Sequence, residues 1–376
     1  MKWIYVPLMF ALAIAYTKIS FNKSTPQITK GVASLPIGRS PASVEEINPS
    51  STEIKRVTSQ VLFKNLSDSN FVLPFQEVAK FQGIIIGNPH IESFGFIIDD
   101  RSKSEFTISE FQDVGVGAYY KDVLAHLVST KSQEKKISWI NYFDAYKSGI
   151  QGQPHVFSYY VDRGLEDAVW LNQVFFENNV TKESPFEFTK LKKTHSKISL
   201  TKKALLIEAL KKKFSKMQYY DFLVEKSDIE KYQILVRIRP QDKIQWLELF
   251  ENGQNANEVF FNSDLKPIGA SEKIEILKKS VLEGKFDRSL GTIVFDKKEY
   301  VMKFSDNFSA KFLLREIPSD DYYDIFLDEA YVLGKIHKKS LDDKSDEYLK
   351  AWATIPAAAI DEKMIELKYR LKDLQE

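Results

Sequence analysis

Apolar positions change their period several times along the chain, and each change marks a different kind of element. Residues 1–20, MKWIYVPLMFALAIAYTKIS, carry an apolar stretch from Trp3 to about Leu12 behind Lys2. Residues 21–52 sustain neither period and accumulate Ser, Thr, Pro and Gly, the composition of a tether. From residue 53 the pattern is regular. Ser51 or Thr52 is placed to cap a helix whose apolar face runs through Ile54, Val57, Val61 and Leu62. The runs GIIIGN, FGFIID and EFTISEF predict three strands with polar turns between them. YYKDVLAHLVST then places Val123, Leu124, Leu127 and Val128 at helical spacing, so a helix is expected directly behind those strands.

Residues 133–230 read as mostly helical, through SWINYFDAYKSGI, GLEDAVWLNQVFFENN and SLTKKALLIEALKKKFSKMQYYDFLVEK. At Tyr232 the period becomes two, and YQILVRIRPQDKIQWLELFE predicts a hairpin turning at Pro-Gln-Asp-Lys. A helix at ASEKIEILKKSVLEG, strands at GTIVFD, EYVMKF and FLLREI, and closing helices at YYDIFLDEAYVLGKIHKKS and PAAAIDEKMIELKYRLKDLQE complete an α+β pattern. No internal repeat is present. Residues 53–376 are expected to form one domain with no sharp boundary inside it.

Composition narrows the function classes. With 376 residues, of which 43% are apolar, the chain can bury a large core. Its 53 basic residues balance 52 acidic ones, so no overall field draws it to nucleic acid. The absence of Cys excludes disulfides and thiolate metal sites and suits an oxidising compartment. The apolar head, with Ala11, Ala13 and Ala15, has the layout of a secretory signal cleaved after Ala13 or Ala15. A retained membrane anchor is the second reading and a buried helix the third, since the head is shorter than the ~20 apolar residues of a comfortable span. Export to a periplasmic or membrane-tethered position is therefore expected. The lysine-rich run from Lys202 to Lys216 is either a solvated helix face or a basic surface, and the first reading is the default.

Candidate chemistry gathers in IIIGNPHIESFGFII, residues 84–98, where apolar residues flank Asn88, His90, Glu92 and Ser93. The longer run GNPHIESFGFIIDDRSKSEFTISEFQDVGVGAYYKDVLAHLVS is similar to the signature block of the bacterial family called domain of unknown function 2252. There the pattern is G-D-x-H-x-x-N-F-G, then a strand ending D-I-N-D-F-D-E, then a helix start G-x-x-x-x-D. His90, Glu92, Gly95, Gly117 and Asp122 match it. FLLREI resembles that family's Y-V-R-x-L strand, and LGKIHKKS its L-A-x-A-H-A-R-S helix. The family is in turn similar to kinase-like phosphotransferases that act on aminoglycosides and choline. The resemblance implies an α+β, kinase-like, two-lobed fold, with the catalytic-loop segment preceding the nucleotide-lobe strands.

In such enzymes the loop aspartate orients or deprotonates the acceptor hydroxyl, while the loop asparagine and a following strand aspartate hold metal on the nucleotide. Transferred to this chain, the base position is Asn88, an amide that cannot accept a proton at neutral pH. The metal asparagine becomes Ser93, a poorer ligand, and the strand carboxylate becomes Glu110. Gln112 replaces the next acid and Asp113 keeps a carboxylate. The phosphate-binding lysine is replaced by Leu249 or Phe250 under one alignment. Under a competing one it is Lys303, with Gly291 at the loop.

Each residue also has a structural reading. His90 is a ligand, a base or a brace for its loop, and Glu92, Glu110 and Asp113 either gather round a cation or are paired and solvated. Asp122 caps its helix or braces the loop backbone, and His337 lies at the surface or between helices. Arg315, on an apolar strand, needs a carboxylate partner. The expectation is an exported kinase-like pseudoenzyme that binds an envelope protein or a small polar ligand and needs no cofactor. The alternative is a phosphotransferase of altered mechanism, using ATP and Mg²⁺ with Glu92 as its base.

Overall fold

Short antiparallel pairs and helices precede the main sheet in chain order. The computed structural model describes residues 37–38, 65–66, 68–87, 89–90, 93–98, 103–109, 113–129, 138–181, 183, 186–189, 195–214, 216–225, 230–238, 244–252, 268–282, 290–304, 311–312 and 319–372. The leader, most of the tether and the helix expected after Ser51 or Thr52 lie outside the described residues, as do Asn88, Glu92, Glu110, Gln112 and Arg315.

Strand β1 (Ile37–Gly38) pairs with residues 311–312. Two short helices, α1 (Ser69–Val72) and α2 (Gln76–Ala79), are joined by a 3-10 turn that carries Pro74 in its first positions. They lead into β2 (Gln82–Ile85). A hairpin of β3 (Phe94–Ile98) and β4 (Ser104–Ile108) follows, with Phe96 opposite Phe106. Strand β5 (Gly115–Ala118) returns to pair antiparallel with β2, so residues 86–87 and 113–114 follow and precede neighbouring strand ends.

The helical body comes next. Helix α3 (Tyr119–Ser129) is buried on almost every side, including Lys121, Asp122 and His126. Helix α4 (Trp139–Gln151) ends at Gly152, whose φ of 68° is the left-handed cap glycine tolerates best. Helix α5 (Tyr159–Asn179) starts five residues before the periodicity suggests, because Ser158 bends the chain into it.

After the short strand β6 (Ser196–Lys197) comes α6 (Leu200–Lys213), capped by the Ser199 hydroxyl. The helix expected to continue through residue 226 instead becomes strand β7 (Met217–Glu225). Aromatic and β-branched residues from Tyr219 to Val224 fit a pleated surface, and pairing with β8 (Lys231–Ile238) overrides the helical spacing. Strand β9 (Ile244–Glu251) completes the meander. Helix α7 (Ala270–Ile276) continues into a π turn over Leu277–Val281. Strands β10 (Leu290–Phe295) and β11 (Lys298–Phe304) are followed by β12 (Lys311–Phe312). Helix α8 (Ser319–Leu341), α9 (Ser345–Ala353), which the sequence reading did not anticipate, and α10 (Ala357–Lys372) close the chain.

The architecture is α+β with antiparallel sheets, the largest ordered β10-β11-β9-β8-β7-β6. One face of that sheet packs Ile234, Val236, Leu247 and Met302 against Leu206 and Leu210 of α6. The other packs Leu235 and Trp246 against Val180 and Phe188. Much of the lysine run serves this packing. Lys202 meets Glu230 at 2.6 Å, Lys203 lies over the Phe222 ring and Lys213 donates to the Thr292 carbonyl. Among the described residues, no helix is long and apolar enough to cross a membrane.

Helices α4 and α8 cross backbone against backbone at two reciprocal glycines. A Cβ on Gly149 would collide with the Tyr331 carbonyl, and one on Gly334 with the Tyr146 carbonyl. Neither obstacle can rotate away, because both belong to helical backbone. Gly334→Ala is therefore expected to lower unfolding free energy by about 1–3 kcal/mol through overpacking, despite alanine's better helix propensity. Urea unfolding measures this, and a variant as stable as the wild type would disprove the close crossing.

Candidate functional site

Strand β2 has a strand neighbour on one side only. Its other edge becomes buried from Ile85 to Gly87, and a buried backbone N–H without an acceptor is costly. Side chains supply the acceptors. The Ile84 N–H donates to the Ser340 hydroxyl of α8 at 3.2 Å. Two residues on, the Ile86 N–H donates to Asp122 Oδ2 at 2.6 Å, and the Gly87 N–H to Oδ1 at 3.0 Å. Asp122, in the first turn of α3, thus holds the base of the 86–93 loop by its backbone. Gly87 has φ 90°, and a Cβ there would strike the Asp113 carbonyl, so glycine is required on both counts.

Asp122 is fully buried and meets His337 Nε2 at 3.1 Å. A carboxylate only accepts, which orients the rest of the chain of contacts. His337 Nε2–H donates to Asp122, leaving Nδ1 to accept from the Tyr146 hydroxyl at 2.6 Å. Tyr146 in turn accepts from Tyr348 at 3.1 Å. Four helices, α3, α8, α4 and α9, therefore converge on the loop through one directed network. Tyr119 adds a second tie, donating to Ser340 at 2.8 Å while its ring packs on His337.

One turn along α3 and α4, and two along α8, a second acid–histidine–tyrosine set recurs with the acid and the histidine exchanged between α3 and α8. His126 of α3 lies between Tyr142 of α4, at 3.1 Å, and Glu329 of α8, at 2.9 Å. Burial pushes the Glu329 carboxyl well above its ordinary range, and the neighbouring Asp328 charge adds to this. Burial also pulls the His126 imidazole well below its ordinary value, with His90 contributing. Both directions favour the uncharged forms of the two groups. Glu329 Oε1 has no hydrogen-bond partner among the described residues, which an uncharged acid tolerates far better than a carboxylate. Lys121, beside Asp122 in sequence, is also buried, and desolvation draws its ammonium down to about 7.

The candidate residues fall into two groups. Asp122 and His337 are joined to each other, and His337 is interhelical rather than at the surface. His90 and Ser93 close a turn, with the Ser93 N–H donating to the His90 carbonyl at 2.7 Å and the His90 N–H to the Ser93 hydroxyl at 3.2 Å. The Ser93 hydroxyl is thereby engaged in its own loop. Ser109, immediately before Glu110, donates its N–H to the Ser93 carbonyl at 2.8 Å. The chain neighbours of Asn88 and Glu110 are thus brought to Asp113 and Ser93 respectively. Gly95 and Gly117 are strand residues, opposite Thr107 and Gly83. Lys303 stands apart on β11, paired at 2.9 Å with the fully buried Glu248 opposite it on β9. Among the described residues, no group of three or more His, Asp or Glu is arranged to hold a metal ion.

Sequence reasoning missed Tyr146, Tyr348, His126, Glu329 and Ser340. Asp122 with His126 and Tyr142 with Tyr146 recur at i, i+4 on apolar faces, a signal that was available. Comparison with known proteins adds no kinship: no family model, no curated protein and no solved structure matches the chain.

The protonation of Glu329 sets a pH dependence. A raised carboxyl binds its proton more tightly in the folded chain, so its contribution is complete below the ordinary value of 4.5 and is lost as pH rises through the raised value. Glu329→Gln retains a neutral donor to His126 and does not titrate. Its stability relative to the wild type, from urea unfolding, is expected to increase between about pH 5 and about pH 8. An unchanged difference over that interval would contradict a raised Glu329 carboxyl.

Proposed function

We propose that this chain is an exported kinase-like pseudoenzyme, a binding or scaffolding module of the bacterial cell envelope whose partner is an envelope protein or a small polar ligand. The observation that carries the reading is a retained brace around a lost proton acceptor. Asp122 holds the buried Ile86 and Gly87 N–H groups, Ser340 holds the half-buried Ile84 N–H and His337 holds Asp122, yet the residue next in sequence to Gly87 is the amide Asn88. His337 and Ser340 both belong to LGKIHKKS, one of the segments that resemble the family called domain of unknown function 2252. Substituting a general base removes a contribution of ~10²–10⁴ in rate.

The main sheet supports the same reading. Its meander β7-β8-β9 is followed by helix α7 and then by β10 and β11, with β11 beside β9. In kinases the phosphate-binding lysine stands on the third strand and pairs with a glutamate of the helix after it. Under the first alignment the lysine's place on β9 falls to Leu249 or Phe250, neither of which offers a charge to a nucleotide phosphate. Nucleic acid has no place in this reading, and no cofactor is required.

One observation favours a second reading, an altered metal-dependent phosphotransferase. Lys303 and Glu248 form a buried lysine–glutamate pair from a different pair of strands. Ser93 is a weak metal ligand because its hydroxyl already accepts from His90, and no step is assigned to a metal here.

Millimolar ATP with Mg²⁺ separates the two readings. The pseudoenzyme is expected to show a melting-temperature change below about 1 °C and no phosphate transfer to alcohols, since a ligand that does not bind cannot stabilise. A shift of several degrees with transfer that Asp113→Ala abolishes would overturn it.

A further inference from the structure

Both long faces of helix α6 carry leucine. The inner face buries Leu206 and Leu210 against the main sheet, while Lys202 and Lys203 fasten the flanks of the helix to Glu230 and to the Phe222 ring. At about 100° per residue, Leu200, Ala204, Leu205, Glu208, Lys211 and Lys212 share one outward arc of about 140°. All of them are exposed, Leu200 at 86% and Leu205 at 41%. A helix face that meets only water carries polar residues across such an arc. Here leucine leads the arc and lysine closes it, the layout of a helix that lies in a membrane interface.

Local charge sets the kind of surface. Lys212 is 3.6 Å from Glu208, with both side chains largely in water. Lys211 has no carboxylate partner among the described residues, and neither has the exposed Lys197 just before the helix or the exposed Lys216 just after it. Four ammonium groups thus stand against one carboxylate, on a chain that is nearly neutral as a whole. The leucines select among anionic partners. A nucleic acid backbone offers them nothing apolar, whereas acyl chains beneath phosphate headgroups match leucine and lysine together, with the lysine stems lying along the boundary.

We propose that the outward face of α6 docks on an anionic lipid bilayer surface, with Leu200, Ala204 and Leu205 at the boundary of headgroups and acyl chains and Lys211 and Lys212 among the phosphates. The helix lies along the surface and enters it by its apolar side chains alone, while its inner face stays on the sheet. The proposal does not depend on the kinase comparison, because none of these residues belongs to the loop at Gly87, and it does not require the apolar head of the chain.

The chain has no cysteine, so Ala204→Cys carrying an NBD fluorophore reports on this face alone. The labelled full chain is titrated with vesicles of phosphatidylglycerol and phosphatidylcholine in equal parts, and its emission is expected to brighten and shift to the blue. Vesicles of phosphatidylcholine alone are expected to bind at least about tenfold more weakly, and Lys211→Glu with Lys212→Glu to weaken the anionic vesicles by a similar factor. Leu200→Asn with Leu205→Asn is expected to remove the emission change while circular dichroism stays unchanged, since both side chains already lie in water. No emission change at millimolar anionic lipid, an equal response to neutral vesicles, or an unchanged response in either double variant would overturn the proposal. So would sedimentation of the chain with vesicles without an emission change, which would place the contact elsewhere, or a response to polyglutamate but not to vesicles, which would assign the face to an acidic protein. ATP binding, or its absence, bears only on the function proposed above.

Discussion

The unpaired edge of β2 is the constraint from which the helical body takes its arrangement. A strand that ends beside a loop and has one strand neighbour must satisfy its remaining N–H groups or lie open to water. Here that edge passes from half-buried at Ile84 to buried at Ile86, and Ser340 and Asp122 take the place of a second strand. A side-chain acceptor works only if it is itself held still. His337, Tyr146 and Tyr348 orient Asp122, and Tyr119 orients Ser340. The reciprocal glycines of α4 and α8 bring Tyr146 close enough to reach His337. Breaking any of these contacts leaves a buried polar group without a partner, which costs about 1–3 kcal/mol, more where charge is involved.

Both acid–histidine–tyrosine networks occupy the seam of α3, α4 and α8, yet they solve burial differently. Asp122 accepts three hydrogen bonds, two from backbone, and so compensates its desolvation. Glu329 has one partner and gives up its charge instead. The first arrangement suits a residue that must hold N–H groups, the second a residue that fills a helix interface.

Periodicity located most elements, since amphipathic faces and two-residue alternation reflect burial directly. It failed where pairing partners decide. The segment from Met217 to Glu225 follows a strong helix and shares its spacing, but the edge of β8 recruits it as a strand. Helix α9 is short and follows the polar run from Asp342 to Asp346, although Tyr348, Leu349 and Trp352 supply a buried stripe. The loop at Gly87 was visible as polar residues between apolar runs, and Asp122 as a residue able to brace it. What could not be read was the partner, because His337 lies 215 residues further along the chain. No local pattern encodes such a meeting, though the spacing of His337 and Ser340 by one helical turn holds half of it.

The proposed function combines this frame with the amide at residue 88. The N–H groups of Ile86 and Gly87 can rest on Asp122 whether residue 88 is an acid or an amide, as the proposed binding role requires. The central physical claim is that Asp122 holds that loop. Amide hydrogen exchange at Ile86 and Gly87 tests it most directly, by comparing their opening free energies with that of global unfolding. The account predicts that both exchange only through global unfolding in the wild type, and through local opening in Asp122→Asn. Exchange of either amide at unprotected loop rates in the wild type would contradict it.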